Sequence, residues 1–166
     1  MHGEFAWAGV LGPLSLEDLL FTAAKSNRIA PLQVVRADRV VGEAHLRSAA
    51  LHAQRAEREG RMQAKSLEVE FVRYLAGERQ IRAALAKVGV VDGAAAGVVV
   101  GLGPKGHDAV AHFVHSLGLR TDDAVAAADE AKLAGFGVTP AMRAATLGDP
   151  AGIVLEMVAM VDLMRS

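Results

Sequence analysis

Single glycines cut the middle of the chain into three helical runs, and this punctuation restricts the possible folds more than any other feature. Gly42–Glu59 places Leu46, Ala49, Ala50, Ala53 and Ala56 on one face, with Arg47, Arg55 and Arg58 mostly off it, and Gly60 stops the run. Ser66–Ala76 carries Leu67, Phe71, Tyr74 and Leu75 on one stripe and breaks at Gly77. Glu78–Val88 turns Ile81, Ala84, Leu85 and Val88 inward, holds Arg79 and Arg82 together outward, and stops at Gly89.

Short extended segments surround this helical centre. Glu4–Val10 reads as a strand ended by Gly12-Pro13. Ser15 followed by Asp18 resembles a capping box, opening a helix with Leu16, Leu19, Leu20 and Ala23 at helical spacing that stops near Asn27. Pro31 leads into a second strand, Leu32–Val35, and Gly97–Gly101 encloses Val98–Val100 as a buried third. Four more helices are predicted: Asp108–Leu117, Asp122–Ala134 capped by Thr121, a short one from Thr139-Pro140 to about Thr146, and a last one from Asp149-Pro150 to about Leu163. Without strict βαβ alternation, the pattern predicts a single α+β domain over 1–166. Its helices pack on a small mixed or antiparallel sheet, and it ends in an apolar helix.

Composition narrows the chemistry. The chain has no cysteine, which excludes a disulfide scaffold, thiolate zinc or iron–sulfur sites and a cysteine nucleophile. Met1-His2-Gly3-Glu4 lacks the basic start of a secretion signal, and no stretch approaches the ~18–20 apolar residues of a membrane span. The expectation is a soluble cytoplasmic protein. Its net charge of −1 hides an asymmetry: between Arg36 and Lys87 eleven Lys/Arg face seven Asp/Glu, so that segment is +4 and the remainder −5. A basic middle in an acidic body suits either a polyanion partner or a pair of solvated helices.

Few motifs announce catalysis. Gly101-Leu102-Gly103-Pro104-Lys105-Gly106 matches G-x-G-x-x-G between a strand and a helix, the pattern of a small nucleotide-binding enzyme. Pro104 lacks the N–H a phosphate cradle uses, and the acid expected ~20 residues later has no strand to sit on, so a glycine-rich turn is the simpler reading. Asp108, His112 and His115 share a helical face, but the outer two lie ~10.5 Å apart along the axis. They read as a solvated or partly buried face. His45 and His52 are likewise two turns apart and cannot share an ion. No metal, cofactor or catalytic residue is assigned.

The last helix is anomalous. In Ile153–Met164 only Glu156 and Asp162 are charged, and the apolar residues cover more circumference than one core-facing stripe uses. Met157, Met160 and Met164 neighbour one another, and an adaptable methionine face fits burial by a partner; the alternative is a place in the core.

Three blocks together resemble a known family. Ala64–Ile81 is similar to its helix, glycine break and Arg-Gln-Ile; Ala84–Gly93 resembles the Gly-Ile turn that follows; Phe136–Thr139 and Val154–Val161 look like its C-terminal signature. The family is the small kinase-binding subunit of the KEOPS tRNA-modification complex, the p53-related-protein-kinase-binding protein family, in its archaeal type. The likeness covers roughly residues 31–165.

The resemblance implies a non-catalytic subunit. Such a subunit docks on the small-lobe side of the complex's kinase/ATPase subunit and stimulates it. Through that subunit it is linked to the threonylcarbamoyl-transferase subunit, and it recruits tRNA, including the 3′ CCA end, for threonylcarbamoyladenosine synthesis. The C-terminal helix would be the docking element, with Ile153, Met157, Met160, Val161 and Met164 at the kinase. Arg61, Lys65, Arg79, Gln80 and Arg82 would meet tRNA. Arg79 and Arg82 would grip a phosphate while Gln80 faces a base edge. Arg79 equally reads as an ion-pair partner for Glu70 or a helix C-terminus. With 4% aromatics, base stacking would fall to arginine planes, Tyr74 or Phe71.

Overall fold

The computed structural model describes residues 4–164; Met1–Gly3, read above for a leader, and the last two residues of the expected domain lie outside the described residues. Three strands form one sheet in the order β1-β3-β2, with β1 Phe5–Leu11, β2 Leu32–Arg36 and β3 Ala96–Leu102. Both pairings are antiparallel. The central strand is buried on both faces, as its unbroken apolar run requires. Side-chain alternation splits it: Val98 and Val100 join one core cluster with Val35, and Val99 joins the other with Val34. The fold is α+β, as the segment pattern predicts.

Helices α2 (Glu43–Arg58), α3 (Leu67–Ala76) and α4 (Ile81–Val88) cover the first face. The small face of α2 is the reason they fit: Ala49, Ala50, Ala53 and Ala56 are fully buried and let α3 approach closely. Helix α3 lies deepest and buries eight of its ten residues, including Glu70 and Arg73. On the other face lie α1 (Leu16–Ser26) and α5 (Gly106–Leu117), contributing Leu19, Ala109 and Phe113. A third cluster joins Val41, Leu133, Phe136, Val138 and Val154 and seats α6 (Glu130–Gly135) and α8 (Ala151–Met160), while α7 (Pro140–Ala145) between them buries none of its residues. Among the described residues no helix is long and apolar enough to cross a membrane.

Three local expectations need correction. The helix predicted over Asp122–Ala134 is two pieces, a 3₁₀ turn at Asp123–Ala126 and then α6. Its acids act as caps instead of as interior residues. Asp122 accepts from Ala124 N–H at 3.1 Å and Asp129 from Lys132 N–H at 2.8 Å, each offering the backbone a non-helical alternative. Lys132 then ties the break by donating to the Val125 and Ala127 carbonyls at 2.7 and 2.6 Å. Helix α4 starts at Ile81, three residues late, and Leu85, expected inward, is exposed. Helix α8 ends at Met160 and continues as a 3₁₀ turn, Val161–Leu163.

The glycine motif has a packing explanation. A Cβ on Gly101 would lie 2.2 Å from the Gly106 carbonyl oxygen, and one on Gly106 would lie 2.4 Å from that of Gly101. The start of α5 therefore rests directly on β3. A dinucleotide fold would need parallel strands, and the described sheet has none.

His45 joins α2, α3 and the C-terminal cluster. Its Nδ1 accepts from Val41 N–H at 3.0 Å, so Nε2 carries the proton and donates to the Leu75 carbonyl at 2.8 Å. Phe136 meets the ring edge-on at 5.1 Å. Burial, opposed by the Leu75 hydrogen bond, pushes its pKa down to about 4. The unfolded chain thus binds more protons between about pH 4 and 6.5, and stability is complete above that window and falls as pH drops through it. The expected loss is about 3 kcal/mol by the bottom of the window, at 1.36 kcal/mol per pH unit. Urea titrations at pH 7 and 4.5 should show it, and His45→Gln should flatten the slope.

Candidate functional site

The α3–α4 turn and the α2–α3 loop are held by one buried ion pair. Arg73 Nη1 donates to Glu70 Oε1 at 2.8 Å, with side chains 3% and 0% exposed. Glu70 also accepts from the Gln63 and Ala64 backbone N–H groups at 3.2 and 3.0 Å, which shapes the loop before α3. Arg73 Nε donates to the Arg79 carbonyl at 2.6 Å, which shapes the turn after it. Gly77 makes that turn possible with φ +68°, in the left-handed region, while Glu78 N–H returns to the Arg73 carbonyl at 3.0 Å. A side chain at Gly77 would meet Met157 Cβ at 3.3 Å, so α8 leans on this turn.

Between these loops and the C-terminal 3₁₀ turn lies a cleft of about 140 Å³ lined by Arg61, Arg73, Tyr74, Arg79, Asp162 and Met164. Asp162 is its centre. Its Oδ1 accepts from Tyr74 Oη at 2.5 Å and Arg61 Nη1 at 2.8 Å, and its Oδ2 lies 3.0 Å from His52 Nδ1. His52 stacks on Tyr74 with ring centroids 5.4 Å apart. Burial works against the Asp162 carboxylate, but the hydrogen bonds from Tyr74, Arg61 and His52 outweigh it and hold its pKa below the usual carboxylate value. Burial, then the bond to Asp162, pushes the Tyr74 phenol up to about 12. The bond to Asp162 raises Arg61 further above its ordinary value.

The residues expected to meet tRNA come together only in part. Arg61 and Arg79 share the cleft; Lys65 is exposed on the α2–α3 loop, Gln80 is the exposed N-cap of α4, and Arg82 is exposed on its first turn. Arg79 and Arg82 are not neighbours on one helix, because Arg79 precedes the cap. Nor does Arg79 pair with Glu70, which Arg73 occupies. Phe71 and Tyr74 are buried, 0% and 2% exposed, so neither offers an open face for a base. Much of the basic segment is neutralised by ion pairs: Arg36–Asp38, Arg47–Glu43, Arg61 with Glu59 and Asp162, and Lys87–Glu78. Among the described residues of this segment Arg39, Arg55, Arg58, Lys65, Arg79 and Arg82 make no ion pair.

The residues expected at a kinase divide more sharply. Val161 belongs to the chain's own core at 2% exposure, beside buried Val158, so it is not available to a partner. Ile153 and Met157 are half-buried against the third cluster. Met160 and Met164 remain open at 50% and 41%, and the same segment exposes Leu163 at 69%. The helix is thus core along one side and uncovered along the other. The histidine face of α5 is partly buried, as read from the sequence, with His112 Nδ1 bonded to Ser26 Oγ at 2.8 Å.

Sequence reasoning missed the Glu70–Arg73 pair and the role of Asp162. The i,i+3 spacing of the first was legible. The second had one signal, a lone acid near the end of an otherwise apolar helix.

The family model for kinase binding protein CGI-121 matches residues 15–134. The chain belongs to this family. No curated protein matches it. The CGI-121 match runs from α1 to α6 and contains β2, β3, the three glycine-separated helices and the arginine-bearing loops. The blocks Phe136–Thr139 and Val154–Val161, which carry part of the family resemblance in the sequence, lie beyond the matched residues.

Proposed function

We propose that this chain is the kinase-binding subunit of a KEOPS-type assembly, without catalysis of its own. It docks on the kinase/ATPase subunit in the cytoplasm, and through it meets the threonylcarbamoyl-transferase subunit. It brings tRNA to threonylcarbamoyladenosine synthesis. The observation that carries the reading is the CGI-121 match across the helical centre and sheet, since that family is described by kinase binding. The uncovered side of α8 and its turn, with Met160, Leu163 and Met164, offers an apolar docking face. Ile153 and Met157, half-buried against the third cluster on the same helix, would add to that face.

For tRNA, three of the cations without ion pairs lie on the elements next to the cleft: Lys65 on the α2–α3 loop, Arg79 in the cleft lining and Arg82 on α4, with Gln80 between the arginines in sequence. These side chains would position a strand through its phosphates, and Gln80 offers a donor and an acceptor to an unpaired base. Filter binding with a tRNA transcript tests this. Trimming the 3′ CCA is expected to weaken binding at least about tenfold, and the logarithmic salt slope should fall by about 0.7 for each single-strand phosphate no longer engaged. Binding indifferent to the CCA end would sink the tRNA part of the reading.

A further inference from the structure

The carboxylate of Asp162 occupies the place an anionic ligand would take. Three donors from two helices and a loop converge on it: the Tyr74 hydroxyl, the Arg61 guanidinium and His52 Nδ1, at 2.5, 2.8 and 3.0 Å. Its side chain is 22% exposed, so the group sits in the mouth of the cleft and not at its base. Arg79 lines the same cavity, while Arg73 there is already matched by Glu70. An arginine fork, a phenol and an imidazole around one negative group form a set of charge-assisted donors suited to a phosphate as well as to a carboxylate. Asp162 comes from the last turn of the chain, whereas the donors come from α2, the loop after it and α3, so the acid can leave without dismantling them.

We infer that the Arg61–Tyr74–His52 cleft is a phosphate subsite for a nucleic-acid strand, closed in the free chain by Asp162 acting as a tethered competitor. This rests on the tRNA reading above and adds to it a specific site and its internal occupant. A tethered carboxylate acts at an effective concentration in the millimolar range or above. A lone phosphate at micromolar concentration does not displace it. A strand that also touches Arg79, Arg82 and Lys65 does, because the added interactions offset the exchange. Once Asp162 is released, Arg61 takes the phosphate.

Asp162→Asn keeps the shape and removes the charge. It is expected to tighten tRNA binding on the order of tenfold, the effect of about one charge-assisted pair, and to steepen the salt slope by about 0.7. Asp149→Asn, a remote exposed acid, should change neither. The gain should vanish in Asp162→Asn/Arg61→Ala. Thermal melts establish that each variant is folded. If Asp162→Asn leaves affinity unchanged, matches Asp149→Asn, or keeps its gain without Arg61, the subsite is refuted while tRNA binding elsewhere stands. If no variant binds tRNA, inorganic tripolyphosphate decides: Arg61-dependent binding gained by Asp162→Asn keeps the subsite and removes the RNA reading, and no gain removes both.

Discussion

Arg73→Ala is expected to destabilise the chain by about 3–5 kcal/mol, the cost of leaving a buried carboxylate without its partner. Glu70 is fully buried, and without Arg73 it keeps only the N–H groups of Gln63 and Ala64. The same substitution frees the Arg79 carbonyl and so loosens the turn that carries Arg79 and Gln80. For a chain of this length the melting temperature should fall on the order of 10 °C. Arg73→Met combined with Glu70→Gln, which removes both charges and roughly keeps volume, should recover much of the loss, giving a strongly non-additive cycle. Urea denaturation measures it. A cost below about 1 kcal/mol for Arg73→Ala would show that water reaches the pair and that it does not brace the two loops.

The fold was legible wherever a residue's local preference and its long-range packing agree. The alanine face of α2, the glycine stops at Gly60 and Gly77, and the Val98–Val100 strand are such places, since each segment's own period already points its apolar side at the core. Agreement fails at Asp122–Ala134. Apolar alanines suggest one helix, but Asp122 and Asp129 cap separate turns and Lys132 bonds the carbonyls between them. Helix α4 begins late for a related reason: Arg73, six residues back, holds the Arg79 carbonyl outside the helix.

The candidate site was less legible, because its geometry depends on partners far apart in the chain. Asp162 meets His52, Arg61 and Tyr74 across 110, 101 and 88 residues, and no spacing rule reaches that far. The arginines were identifiable as a basic segment, but which of them are neutralised depends on tertiary structure. Asp162 neutralises Arg61, for example. The C-terminal helix illustrates both halves of this. Its excess of apolar residues was visible, yet only the folded chain separates Val154, Val158 and Val161, which complete two core clusters, from Met160, Leu163 and Met164, which remain uncovered.

That separation yields the second large effect. Met160→Glu with Leu163→Glu changes two residues that are 50% and 69% exposed, so the cost to folding should stay within about 0.5 kcal/mol for each. At an apolar docking face the same pair places two unpaired charges where a partner would bury them. The expected loss is about 3 kcal/mol or more, over a hundredfold in affinity. Val158→Asp and Val161→Asp should instead unfold the chain, since both sites are closed. Removing residues 150–166 would not separate the two effects, because it takes away core and docking face together.

Titration calorimetry of the folded chain against the KEOPS kinase/ATPase subunit is the decisive measurement. Saturable binding is expected for the native chain, and binding weakened more than about a hundredfold for Met160→Glu/Leu163→Glu at an unchanged melting temperature. Equal binding by the two proteins would overturn docking through the C-terminal segment, and no binding by the native chain would overturn the kinase-binding assignment itself.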